Sequence, residues 1–361
     1  MHPIKIPEVE AGVGIEEFSR FIRSLISDES PSDEDLSRIF NVYDKDRDGK
    51  LYKEEAAQFN KRIVQTINGM RTALIVVDFQ NDFVDGSLAI KRGRAQQDPM
   101  ESLQILNQLL THHREFNSIV YTLDWHPSNH ISFYEHCRNK DRVLQKTDKT
   151  RKLKPFDVVT FEDPKCRQVL YPSHCVEGSW GSELHAELTQ VEGAKFVRKG
   201  TEVCVDAYSG FADNNGKIKS ELENLLRSEG INTVFICGLA LDICVASTAR
   251  DASKLKFLTC VIKDCCKGLS EEQIKRTCHE LRGRNVPYIE SAQMYQFLNE
   301  HKVPWLWICQ MSGLGERRHR RRKHNGFDDG RVATKEPETP HGTEESLLTT
   351  PFQATALRAD A

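Results

Sequence analysis

The strongest constraint on the fold is a change of period near residue 71. From there to about residue 310, short β-rich apolar runs alternate with helical segments. The runs are TALIVVDF at 72–79, SIVYTLDW at 118–125, AKFVRK at 194–199, TVFICGLA at 233–240 and FLTCVI at 257–262; the helical segments span 100–113, 217–229, 243–254 and 270–282. Strands covered by helices on both faces read as near-continuous apolar runs. The pattern therefore predicts an α/β fold, a parallel sheet with helices on both faces. Ser270 and Gln273 stand in capping-box spacing at the start of the last helix. The phosphate-cradling pattern G-x-G-x-x-G is absent, so a dinucleotide site has no support.

Residues 1–66 carry a different period and predict a small all-α module. Ile15, Phe18, Ile22, Leu25 and Ile26 fall on one helix face. Ser32 reads as the N-cap of a second helix with Leu36, Ile39 and Phe40 inward, and Ala56, Phe59 and Ile63 mark a third. Between the last two lies DKDRDGKLYKEE at 44–55. A hard cation takes six to eight oxygens. Here Asp44, Asp46 and Asp48 occupy loop positions 1, 3 and 5, the Lys50 carbonyl position 7 and a bidentate Glu55 position 12, with Gly49 at the sharp turn. An acidic surface turn is the plainer reading. The five diagnostic side-chain positions, Asp44, Asp46, Asp48, Gly49 and Glu55, between two amphipathic helices resemble an EF-hand, which implies bound Ca²⁺. Only one intact loop is present, and the segment 1–30 is the candidate for a degenerate partner.

Residues 312–361 are poor in aliphatic and aromatic residues and rich in Thr, Glu, Pro and Gly, which predicts a disordered tail. Its RRHRRRK run at 317–323 reads either as a solvated segment or as a patch for a nucleic acid or an import receptor. Fifty Lys+Arg against 53 Asp+Glu give a formal charge of −3, which argues against a chain-wide nucleic-acid surface. No run of about 20 apolar residues predicts a membrane span. Eleven cysteines without a signal-like apolar start predict reduced thiols, hence a cytoplasmic location with the nucleus as an alternative. Oligomeric state stays open, a homo-oligomer included.

Three residues at strand ends carry candidate chemistry. Asp78 follows ALIVV, Lys199 closes KFVR, and Cys244 follows TVFICGLA and opens a helix. Sites in open parallel sheets gather at the carboxyl ends of strands. A cysteine at a helix start beside a lysine has a lowered pKa, and an aspartate can move its proton. Taken singly, Asp78 reads as a cap, Lys199 as a solvated strand end and Cys244 as a small buried apolar residue. TLDWHPSNH adds Asp124, His126 and His130, and YPSHC adds His174. Imidazoles with a carboxylate suit Zn²⁺ or another borderline divalent metal, although loop histidines are commonly just solvated.

Together VDFQNDF (77–83), TLDWHPSNH (122–130), YPSHC (171–175), RKG (198–200), DAYSGF (206–211) and GLALDICV (238–245) resemble the nicotinamidases, a branch of the isochorismatase-like cysteine hydrolases. A module resembling an EF-hand ahead of such an enzyme is similar to the arrangement in some animal members. The resemblance implies hydrolysis of nicotinamide to nicotinate and ammonia, in NAD salvage. Cys244 would be the nucleophile, Asp78 the proton carrier and Lys199 the stabiliser of the thiolate. It implies a cis peptide at Leu239–Ala240, with the backbone N–H groups of Ala240 and Cys244 as the oxyanion hole. Asp124, His126 and His174 would bind the metal, with His130 as a variable ligand, and Phe83, Tyr171 and Tyr208 would enclose the ring. Leu241 replaces the Thr of many relatives and Tyr171 their Trp. The rivals are a cysteine amidase for another small carboxamide, which would not need the metal set, and a calcium-dependent adaptor on an inactive hydrolase fold.

Overall fold

The computed structural model describes residues 5–314; the 317–323 run lies outside the described residues. The first module is built from α1 (Ile15–Ser24), α2 (Asp33–Tyr43) and α3 (Lys53–Phe59). Ser32 caps α2 by accepting the Asp35 N–H, as the sequence suggested. Phe18, Ile22 and Leu25 are buried, whereas Ile15 is exposed. Ile15 is the first residue of α1, one turn ahead of its first buried residue, Phe18. Val13–Gly14 pairs antiparallel with Lys50–Leu51, so the segment ahead of α1 closes against the acidic loop.

The second region holds a six-stranded parallel sheet made of β1 (Thr72–Val77), β2 (Ser118–Asp124), β3 (Lys195–Lys199), β4 (Thr233–Leu239), β5 (Leu258–Lys267) and β6 (Tyr288–Ile289). Their order across the sheet is β6-β5-β4-β1-β2-β3, and every pairing is parallel. All residues of β1, β2 and β4 are buried, which is why these strands read as unbroken apolar runs. Helices Pro99–Leu110, Leu222–Ser228, Ala246–Lys254 and Glu271–Gly283 occupy the expected segments. The helix expected from 217 begins at 222, because Asp213 ties down the Lys217 and Ile218 N–H groups in a turn. Two-residue β6 and a three-stranded antiparallel sheet (Val143–Leu144, Val158–Asp163, Cys166–Val169) were not anticipated. The two-residue strands are too short to show a period, and Val158–Asp163 buries only Val159 and Phe161 before ending in Glu162 and Asp163, so it lacks the unbroken apolar run of β1.

The chain runs outward from β1 through β2 to β3, then returns to the other side of β1 as β4. This reversal opens a crevice between β1 and β4 at their carboxyl ends, where α/β folds bind ligands. Helix Trp305–Met311 seats the first module on the second. Val303 N–H donates to Leu25 O (2.7 Å), Ser27 N–H to Val303 O (3.1 Å), and Trp305 N–H to Asp28 Oδ1 (2.8 Å). Phe18 and Phe59 of the module belong to the same apolar core as Phe235 and Trp307. None of the eleven cysteines forms a disulfide, and among the described residues no helix is long and apolar enough to cross a membrane.

Candidate active site

The carboxyl ends of four strands bring the expected residues together. Asp78 follows β1 with a left-handed φ of 47°, Asp124 ends β2, Lys199 ends β3, and Cys244 lies in a single π-helical turn, Leu241–Val245, after β4. Such turns recur at functional sites. The Leu239–Ala240 peptide is cis, as the resemblance implied. Asp78, Lys199 and Cys244 are buried. Lys199 Nζ lies 2.9 Å from Asp78 Oδ2, donates to Cys244 Sγ at 3.5 Å and to Ala207 O at 3.0 Å, and pairs with Asp124 Oδ1. Thr122 Oγ1 donates to Asp78 Oδ1 (2.6 Å). Asp78 Oδ2 is in ion-pair contact but accepts no well-aligned hydrogen bond, so it keeps a lone pair for a proton.

Burial dominates the electrostatics here. It pushes Asp78 up to about 6 against the pull of Lys199. It also pushes the Cys244 thiol well above its ordinary value, with Lys199 opposing, so burial reverses the lowering expected from a helix start beside a lysine. Burial works to raise Asp124 too, but Lys199 and His126 together hold it below the carboxylate range. The ammonium of Lys199 survives burial because Asp124 and Asp78 face it. The resting nucleophile is thus a thiol with a base beside it, the arrangement nucleophilic catalysis requires.

Asp124, His126 and His174 place donor atoms within 4.8 Å of one another, all buried. His126 Nδ1 faces Gly200 O (2.8 Å) and His174 Nδ1 faces Pro172 O (2.8 Å). A carbonyl only accepts, so each ring donates from Nδ1 and keeps its Nε2 lone pair for a ligand. Gly200 makes this approach feasible: a Cβ there would lie 2.4 Å from His126 Cε1, and its φ is +65°. This donor set fits a divalent cation. His130 stacks on His126 with centroids 4.2 Å apart, but its Nδ1 meets Ser132 Oγ (2.7 Å) and its Nε2 meets Val205 O (3.2 Å). It falls in a set with His126 and Asp206, not with Asp124 and His174.

Phe83, Tyr171 and Tyr208 line a cleft with Ala240 and Cys244, and the apolar Ile90, Ile243 and Leu269 complete its walls. Three supporting residues escaped the sequence reading of single positions, although the quoted motifs contain them. Gln80 brackets Asp124, accepting its N–H (2.8 Å) and donating to its carbonyl (2.7 Å). Thr122 orients Asp78, and Asp206 lines the cleft.

In the first module, carboxylate oxygens of Asp44, Asp46 and Asp48 lie within 4.8 Å of one another. Gly49 turns with φ 84°. Glu55 accepts from Lys45 N–H (2.7 Å) and Tyr52 N–H (3.1 Å), joining the two ends of the loop.

Comparison with known proteins bears on residues of the second region. The chain is similar to the nicotinamidase of Acinetobacter baylyi, 41% identical over 223 residues, covering 62% of this chain and 94% of the relative. It is also similar to the nicotinamidase of Saccharomyces cerevisiae, 33% identical over 230 residues, covering 60% and 98%. A solved nicotinamidase–pyrazinamidase of Acinetobacter baumanii superposes with a TM-score of 0.53 at 33% identity, covering 62% of this chain and 98% of that one. The isochorismatase domain model matches residues 72–293, strand β1 through the end of the sheet. The chain belongs to the isochorismatase family.

Proposed function

We propose that this enzyme hydrolyses nicotinamide to nicotinate and ammonia, a reaction of NAD salvage, through a thioester on Cys244. The observation that carries the reading is the meeting of Asp78, Lys199 and Cys244 with Asp124, His126 and His174 at one cleft. The similarity to two nicotinamidases supports the substrate.

Asp78, ionised, takes the Cys244 thiol proton, and the thiolate attacks the carboxamide carbon. The N–H groups of Ala240 and Cys244 hold the oxyanion. Asp78 returns the proton to the amide nitrogen, the C–N bond breaks, and ammonia leaves a thioester. Asp78 then deprotonates a water whose oxygen attacks the thioester; the C–S bond breaks, the departing sulfur takes the proton back from Asp78, and the released acid loses its own proton to become nicotinate. Lys199 stays protonated throughout and offsets the charge shared between Asp78 and the sulfur. Asp124, His126 and His174 would hold a divalent metal, with zinc favoured by their N/O character. When bound, it supplies a Lewis-acidic anchor for the pyridine nitrogen. Phe83, Tyr171 and Tyr208 would flank the ring. The metal set argues against a carboxamide without a ring nitrogen, and the assembled triad against an inactive scaffold.

Ammonia release from nicotinamide by the intact chain, and its loss in Cys244→Ala, test this reading. Absence of release by the metal-loaded intact chain would overturn it.

The loop 44–55 binds Ca²⁺ in the same proposal. Its support is the convergence of Asp44, Asp46 and Asp48 and a buried Asp44 Oδ1 that has no hydrogen-bond partner. The Lys50 carbonyl and Glu55 would complete the oxygens. Calcium calorimetry on the full chain should show binding that Glu55→Gln weakens strongly; an unaltered isotherm would remove Glu55 from the site.

A further inference from the structure

The role of Asp206 follows from its surroundings. Its carboxylate is buried, lines the cleft, and has an oxygen within 4.8 Å of His126 and His130 ring nitrogens. It is held rigidly: Oδ1 accepts the Ala207 N–H (2.8 Å) and Oδ2 accepts Gln168 Nε2 (2.7 Å). Gln168 is itself buried and also donates from Nε2 to Val169 O (2.9 Å). These donors are neutral, and among the described residues no lysine or arginine forms an ion pair with Asp206.

The charge balance is unequal. Three carboxylates reach this cluster, Asp78, Asp124 and Asp206, against one ammonium, Lys199, which is engaged with the first two. Arg142, another buried cation, is paired with Asp141 at 2.8 Å. Metal-ligating imidazoles are neutral. The cluster therefore carries two uncompensated negative charges in a setting where an unpaired charge is costly. A dication restores neutrality, and without Asp206 it would leave one positive charge in excess.

We infer that Asp206 is a positioning residue of the metal centre, a carboxylate outside the Asp124, His126 and His174 set whose charge determines how tightly a divalent cation is held. This rests on the reading of those three residues as metal ligands. Its place beside His126 and His130, with Gln168 holding it, keeps the charge close to the ion without spending a ligand position.

The test is Zn²⁺ titration of the chelator-stripped full chain, in competition with a chromophoric chelator, on the natural protein, Asp206→Asn and Asp124→Asn. Outer-shell partners of metal ligands typically contribute about 10- to 100-fold in affinity, and Asp206→Asn should weaken Zn²⁺ by that factor. The Zn²⁺-induced rise in Tm should shrink in the variant, whatever the Tm of its metal-free form; a merely structural role would lower both forms and leave the rise intact. Should Asp206→Asn not fold, Asp206→Ala carries the same readings. Unchanged affinity, or an unchanged Zn²⁺-induced rise, overturns the inference. Failure of the natural protein to bind Zn²⁺, or indifference of the affinity to Asp124→Asn, overturns the metal-site reading beneath it.

Discussion

Gly200 decides whether His126 can reach its place, because any side chain there would collide with the imidazole at 2.4 Å from Cε1. Gly200→Ala is therefore expected to displace His126 and to lower bound metal and turnover together, read by metal analysis of the purified protein beside ammonia release. Asp78 sets the pH response. Burial raises it to about 6, and only its ionised form can take the thiol proton. Protonation as pH falls through that value removes the base. The acid limb of kcat/KM should then lie near 6 and not in the ordinary carboxylate range; a limb near 4 would count against Asp78 as the base. The motifs made Asp78, Lys199 and Cys244 legible, since each lies at or just after the end of an expected strand. Asp206 was not legible as anything but part of DAYSGF, because its meaning depends on a charge balance among residues up to 128 positions apart.

Helix Trp305–Met311 joins the two modules, and Trp307 is its anchor. The indole is fully buried, its Nε1 donates to Thr259 O (3.1 Å), and its ring lies 5.5 Å from that of Phe235. Trp307→Ala should cost about 3–5 kcal/mol of stability, measured by denaturant unfolding. Expected elements appear where a long period supports them: the run TALIVV became a fully buried strand and Ser32 a working N-cap. The failures are short or local, such as the turn at 217–221 held by Asp213.

At the scale of the whole molecule, the N-terminal module and the hydrolase region share one core and a backbone seam at Val303. Residues 71–361 expressed alone should show a lower Tm and more aggregation than the full chain, because apolar surface under Trp305 and Val303 would be uncovered; equal Tm and solubility would show the module to be dispensable for folding. The sequence by itself determined the α/β class, the acidic loop and the residue types of the catalytic centre, because period and motif are local properties of a chain. Tertiary structure alone decided that β4 returns to the far side of β1 and opens the crevice there. It also turned His130 Nε2 toward Val205 O and buried a third carboxylate, Asp206, beside the metal ligands. Those outcomes depend on distances between strands far apart in the chain, and no local pattern encodes them.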